Sequence, residues 1–192
     1  SHLSVKKGIA QYGKPAVEAV EKEFDQLFNS KKALIPVHRS EVHKGGKKKI
    51  IKSFMFLKAK YDAMGNFEKI KARLVANGAQ QTGYSKVETA SPTVSMDSVM
   101  INLSIAQKEE REVATGDIGG AYLNAYMPGD EPIYIEIDAE LAAILVAKFP
   151  EIEIYIDERG RLVARLNKAL YGCDQSALLW YKTLVSFLQE IG

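Results

Sequence analysis

The sequence predicts an α+β fold, with an antiparallel sheet and hairpins packed with helices, and three observations predict it. A strand–turn–strand pattern runs from residue 50 to 76. Apolar residues recur at helical spacing over 15–29, 95–107 and 175–191. Short strand-like runs at 133–137 and 161–166 are separated by turns, without the regular strand–helix alternation of a parallel sheet.

In chain order, Pro15 suits a first helical turn, and Val17, Val20, Phe24, Leu27 and Phe28 mark one buried face of a helix over 15–29. Ser1-His2 resemble a tag remnant. Residues 31–46 read as a polar connection ending in Gly45-Gly46. Residues 50–60 and 67–76 form a hairpin across the turn residues Asp62 to Asn66, with Phe54 and Phe56 on one face of the first strand. On the return strand, Ile70 and Leu74 lie on one side and Lys69, Lys71, Arg73 and Val75 on the other. Three cations on one face cannot enter a core without partners, so this face meets water or anions. Residues 77–92 are loop-like. Ser95 caps a helix to about Gln107, with Asp97 in its first turn and Val99, Leu103 and Ala106 facing inward. Residues 112–118 read as a short strand broken by Gly119-Gly120, and 139–149 as a helix. Residues 152–156 pair with 161–166 across Asp157-Glu158-Arg159-Gly160, and 175–191 close the chain as a helix.

The length of 192 residues suits one domain or two small subdomains. No stretch reaches the ~20 apolar residues of a membrane span, and no apolar segment behind a basic start marks a secretory leader. Cys173 is the one cysteine, so no internal disulfide forms, and with three histidines a structural zinc site is not expected. A reducing, intracellular compartment follows. Net charge is only +2, but Arg39 to Lys60 holds eight Lys/Arg against Glu41. Such a strip reads equally as a polyanion contact or a solvated loop.

Four blocks carry a resemblance: Lys71-Ala72-Arg73-Leu74-Val75-Ala76-Asn77-Gly78, Ser91-Pro92-Thr93-Val94, Asp117 through Asn124, and Ala169-Leu170-Tyr171-Gly172-Cys173-Asp174-Gln175 with Trp180-Tyr181. In this order and spacing the chain resembles the reverse transcriptase of Ty1/copia-type LTR retrotransposons. The resemblance implies a right-hand polymerase, with 1–110 as fingers and 111–192 as partial palm. It implies RNA-directed DNA synthesis with Mg²⁺ or Mn²⁺ and dNTP substrate, an RNA/DNA primer-template, and the remainder of a polymerase polyprotein as partner. The setting it implies is a cytoplasmic virus-like particle or the nucleus. No membrane is implied.

By the same resemblance Asp117 is the catalytic carboxylate and a metal ligand, with the Ile118 carbonyl a further ligand. Lys71 and Arg73 hold the triphosphate, with Lys58 an alternative contact. Tyr122 lies beneath the incoming sugar, where it leaves no room for a 2′-hydroxyl. Gln175 contacts the sugar and orders the templating pair. Here Cys173-Asp174 precede it where the family has Leu-Lys, and Asp174 is a candidate N-cap for the last helix. Lys44, Lys47, Lys48, Lys49, Lys52 and Lys58 are the nucleic-acid-binding candidates, with Phe54, Phe56 and Tyr61 read more as core than as base-stacking residues. The Tyr-x-Asp-Asp motif that completes the family's metal site is absent, and no Asp-Asp pair occurs in the chain. The expectation is therefore a fragment inactive alone, with weak Mg²⁺ binding and self-association through an exposed palm edge. The alternative is a non-catalytic nucleic-acid-binding module derived from such an enzyme.

Overall fold

The computed structural model describes residues 2–43, 50–81, 89–130 and 132–191. Lys44, Lys47, Lys48 and Lys49, two-thirds of the basic candidates, lie outside the described residues.

Six strands form the sheet: β1 (Leu3–Ser4), β2 (Leu34–Val37), β3 (Ile50–Tyr61), β4 (Phe67–Ala76), β5 (Tyr134–Ile137) and β6 (Leu162–Leu166). The order is β1-β3-β5-β6-β2, with β4 on β3, and every pair is antiparallel except β3–β5. The long hairpin β3–β4 is as the alternation predicts. Asp62 closes it, its Oδ1 accepting the backbone N–H groups of Met64 and Asn66 at 2.9 and 2.8 Å. Ile51, Met55 and Leu57 of β3 and Ile70, Ala72, Leu74 and Ala76 of β4 point into the core. Helices α1 (Val5–Tyr12) and α2 (Lys14–Asp25) pack on this face, and α5 (Ala139–Lys148) packs on α2. Val20 and Phe24 of α2 are fully buried, as is Leu27 in the π-turn Gln26–Ser30 that ends it.

The structure corrects several expectations. Residues 3–12, given no element in the sequence reading, form β1, which hydrogen-bonds to β3, and α1. The connection 31–46 contains β2 and the short helix α3 (Arg39–His43). Residues 150–155 form a 3₁₀ turn, not a strand, and only Ile156 bridges to Leu162. Both edges of β6 are already taken, by β5 and β2, so no ladder is open to 152–156. Residues 111–118 belong to no helix or strand and are exposed, so Asp117 is not on a strand.

Helix α4 (Met96–Lys108) is capped as predicted, with Ser95 Oγ accepting the Ser98 N–H at 3.2 Å. Its inward face is not as predicted, because no residue of it is buried. Leu103 is exposed, and Val99 and Ala106 are only half-covered. Met96, Met100, Ile101 and Ile105 are exposed beside them. Helical periodicity locates an apolar stripe but does not supply the surface that covers it. The last helix, α6 (Ser176–Ile191), packs by its first turns on residues 121–124.

Candidate functional site

The outer face of the β3–β4 hairpin is an open ladder of cations and rings. Its register pairs Phe54 with Val75, Phe56 with Arg73, Lys58 with Lys71 and Lys60 with Lys69. Side chains alternate along a strand, so burying Ile51, Met55 and Leu57 turns Lys52, Phe54, Phe56, Lys58 and Lys60 outward. Phe54 and Phe56 are 44% and 40% exposed, which overturns the core reading for both and for Tyr61, exposed at 55%. No carboxylate pairs with Lys52, Lys58, Lys60, Lys71 or Arg73 among the described residues. A cavity of about 380 Å³ opens between His2, Phe56, Lys58, Lys60, Lys71 and Arg73.

At the inner end of this face the first, third and fourth sequence blocks meet. The Arg73 guanidinium lies 4.3 Å from the ring centre of Tyr171. That ring in turn lies 4.9 Å from the ring of Tyr122, tilted by 45°. The loop carrying Tyr171 is locked to β4 by backbone: Ala76 N–H donates to the Tyr171 carbonyl at 2.8 Å. Gly172 adopts φ +87°, and a Cβ there would lie 2.1 Å from the Ala76 oxygen. A Cβ on Gly78 would lie 2.2 Å from the Gly172 oxygen. Two of the conspicuous glycines are therefore required because the blocks touch backbone to backbone.

Gln175 is buried, and its Oε1 accepts from Gln81 Nε2 at 2.8 Å. Gln81 Oε1 accepts the Asp174 N–H at 3.0 Å. Asp174 sits two residues before the first helical residue of α6, and Ser176 Oγ donates to the Leu170 carbonyl at 2.6 Å. Asp174 is thus not the residue adjoining α6, contrary to the capping expectation. Burial, with the neighbouring Asp174 charge, pushes the Cys173 thiol up to about 12, so this cysteine stays protonated and inert near neutral pH.

Tyr122 is delivered by the 3₁₀ turn Ala121–Asn124, which begins at Gly120 with φ +61°. Leu123 and Ala125 bury beneath the turn, and Lys31 Nζ donates to Asn124 Oδ1 at 2.7 Å. Asp117 stands apart. It and the Ile118 before the turn are exposed, and Asp117 has no side-chain partner among the described residues. No group of three or more His, Cys, Asp or Glu able to hold a metal ion occurs among the described residues. One carboxylate and one carbonyl do not fit a divalent ion, which needs several oxygen ligands.

Sequence reasoning gave no role to Glu23, Lys31, Gln81 or Tyr171. Glu23 of α2 accepts the Leu74 N–H at the free edge of β4, 3.0 Å away. Burial raises its carboxyl above the ordinary range, while the Leu74 N–H and the Arg73 and Lys71 charges pull it back. Its signal in the sequence was an acid on the apolar side of a helix, next to Phe24.

A family model described as Reverse transcriptase (RNA-dependent DNA polymerase) matches residues 40–192. The chain is 31% identical over 135 residues to the Retrovirus-related Pol polyprotein from transposon RE1 of Arabidopsis thaliana, covering 69% of this chain and 8% of that protein. Similarity to the Retrovirus-related Pol polyprotein from transposon TNT 1-94 of Nicotiana tabacum is 32% over 151 residues, 78% of this chain and 10% of the relative. The RE2 polyprotein of Arabidopsis thaliana is 28% identical over 135 residues, 69% of this chain and 8% of that protein. The chain thus spans a tenth or less of these relatives. No solved structure matches it.

Proposed function

Since the chain belongs to the reverse transcriptase (RNA-dependent DNA polymerase) family, we propose that it forms the fingers (1–110) and first part of the palm (111–192) of a copia-type transposon polymerase. The open face of β3–β4, with Tyr122, Tyr171 and Gln175 at its inner end, receives a deoxynucleoside triphosphate. The observation that carries this reading is the run Lys58–Lys71–Arg73–Tyr171–Tyr122: unpaired cations suited to phosphates, ending in rings suited to a sugar and base.

In that role Arg73 offers a planar fork to phosphate oxygens and Lys71 a mobile point charge. Tyr122 presents a ring edge where a 2′-hydroxyl distinguishes ribo- from deoxyribonucleotides. Asp117 and the Ile118 carbonyl act as metal ligands only together with carboxylates from outside this chain. A divalent ion would then stabilise the attacking and leaving oxygens of the nucleotide transfer. The chain alone is proposed to bind without polymerising.

Lys52, Phe54, Phe56 and Lys60 extend the face along a template strand, by phosphate contact and base stacking. The relatives are long polyproteins, and the remainder of such a polyprotein is the proposed cover for the exposed apolar residues of α4. The setting proposed is intracellular, in a cytoplasmic particle or the nucleus.

The test is titration of the chain with a fluorescent deoxynucleoside triphosphate. Lys71→Ala/Arg73→Ala should weaken binding at least tenfold with circular dichroism unchanged. Equal affinity in wild type and double variant would overturn the reading. The second reading, a binding module without catalysis, draws on the exposed cation–aromatic face. It is favoured if single-stranded oligonucleotide binds tightly and nucleoside triphosphate does not.

A further inference from the structure

We propose that Tyr171 is a positioning residue that couples the phosphate-facing cation Arg73 to the sugar-facing ring of Tyr122. The inference rests on the nucleotide reading above and names how that site is held in shape before its ligand arrives.

Arg73 projects from an exposed strand face and has no ion-pair partner among the described residues. A free arginine there would sample many rotamers, and ordering it on binding would cost affinity. The Tyr171 ring removes part of that cost. At 4.3 Å from the ring centre, the guanidinium lies within the ~6 Å over which a cation is attracted to a ring face. The same ring lies 4.9 Å from Tyr122, inside the ~4.5–7 Å range of paired aromatic side chains.

The ring is itself set on a rigid base. Ala169 and Leu170 immediately before it are fully buried. The Tyr171 carbonyl is tied to the Ala76 N–H, and Gly172 closes against the Ala76 oxygen. The base of this loop therefore moves with β4, which carries Arg73. From the other side, Tyr122 sits on a turn held by buried Leu123 and by Lys31 bonded to Asn124. One ring thus joins two separately anchored elements. No hydrogen bond of the Tyr171 hydroxyl occurs among the described residues, so the ring does the coupling and the hydroxyl does not.

The test measures dATP, ATP and tripolyphosphate affinity of the chain, with Tyr171→Phe, Tyr171→Leu, Arg73→Lys and Arg73→Ala, and urea midpoints as fold controls. Tyr171→Phe should match wild type. Tyr171→Leu should weaken tripolyphosphate binding about three- to tenfold, as expected for a lost cation–ring contact, and should narrow the dATP-over-ATP preference. Arg73→Lys keeps the charge but loses the stacked plane, and should weaken triphosphate binding in the intact-ring background. That variant decides the matter if Tyr171→Leu does not fold. Tyr171→Leu with wild-type affinities, or Tyr171→Phe failing like Tyr171→Leu, overturns the coupling and leaves the nucleotide site standing. So does Arg73→Lys with unchanged affinity while Arg73→Ala loses it. Wild-type affinity in Arg73→Ala, or no nucleotide binding by the wild-type chain, overturns the site and this inference together.

Discussion

Among the described glycines, Gly172 should be the one where alanine does most damage, and three others separate its causes. Gly172 has φ +87°, and its Cβ would stand 2.1 Å from the Ala76 oxygen and 2.6 Å from Val75 Cγ1. The left-handed backbone costs a non-glycine residue about 1–2 kcal/mol. Forcing an atom into occupied space costs roughly 1–3 kcal/mol more, here against backbone that cannot swing aside. A loop lifted from β4 also stretches the 2.8 Å bond from Ala76 N–H to Tyr171, worth about 1 kcal/mol. The alanine restricts the unfolded chain and returns about 0.5 kcal/mol, which leaves a loss of roughly 3–5 kcal/mol. Gly65, at φ +84° with nothing within 4 Å, isolates the backbone part and should lose about 1 kcal/mol. Gly78 lacks a positive φ but its Cβ would meet the Gly172 oxygen at 2.2 Å, so it isolates the steric part, about 1–3 kcal/mol. Gly116, open and without positive φ, should be neutral or slightly stabilised. Urea unfolding of the four variants reads this order directly. With a slope of about 1–3 kcal/mol per molar urea, Gly172→Ala should lower the midpoint by more than 1 M. A Gly172→Ala midpoint level with that of Gly65→Ala would refute the backbone-to-backbone packing of the two blocks.

Two carboxylates give opposite pH signatures. Burial pushes the Asp157 carboxyl up, but the N–H groups of Arg161 and Arg159 and the Arg161 guanidinium outweigh it and hold it below 3.8. Its stability contribution is present above that unfolded value and is lost as pH falls through the folded one. Asp157→Asn should therefore flatten the acid loss of stability. At pH 7 it should cost roughly 2–4 kcal/mol, because Arg39 and Arg161 lose a shared partner. Glu23 is raised above 4.5, so the folded state loses stability as pH rises from there through the folded value. Glu23→Gln keeps an acceptor for the Leu74 N–H and should remove that step, while Glu23→Ala should lose stability at all pH; an unchanged slope in Glu23→Gln would count against the burial of the charge. Tyr122→Ala, placed in a complete polymerase, should raise ribonucleotide incorporation, and an unchanged sugar preference would rule out its role at the sugar. Primer extension by the chain alone should yield no product, and clear extension would sink the incomplete metal site.

The parts legible in the sequence are those whose signal is local. Alternation placed Lys69, Lys71 and Arg73 on an exposed face of β4 because period-2 side-chain direction needs no knowledge of the rest of the fold. Ser95 announced α4 because a cap is made within one turn. The misreadings depend on partners. Residues 112–118 have strand-like Val113, Thr115 and Ile118, but a strand exists only where another edge accepts it. Leu34–Val37 went unread as β2 because Pro36 and flanking charges hide a short apolar run that β6 pairs. Phe54 and Phe56 look like core by composition, yet the phase of β3 is fixed by Ile51, Met55 and Leu57 on the other face. The importance of Tyr171 was invisible for the same reason: its two neighbours, Arg73 and Tyr122, come from 98 and 49 residues away in sequence (171 − 73 and 171 − 122).

The same division runs through the conspicuous segment 115–124. Its second half is anchored, with Leu123 buried and Asn124 bound to Lys31. Its first half buries nothing: Gly116 and Gly119 bring no side chain, and Asp117 and Ile118 face solvent. A solvated carboxylate flanked by glycines has no local force fixing it, so a metal-binding geometry there would need a partner that pairs with 111–118. The side chains proposed to meet phosphate and sugar, by contrast, are held by buried sheet and turn residues that do not include Asp117. Asp117→Asn should accordingly leave the urea midpoint of this chain within the ~0.5 kcal/mol typical of an exposed substitution, and leave its tripolyphosphate affinity unchanged. In a complete polymerase it should abolish extension. A midpoint loss above about 1 kcal/mol in the chain alone would mean that Asp117 already makes a structural contact, and that the carboxylate and the nucleotide contacts are not independent units.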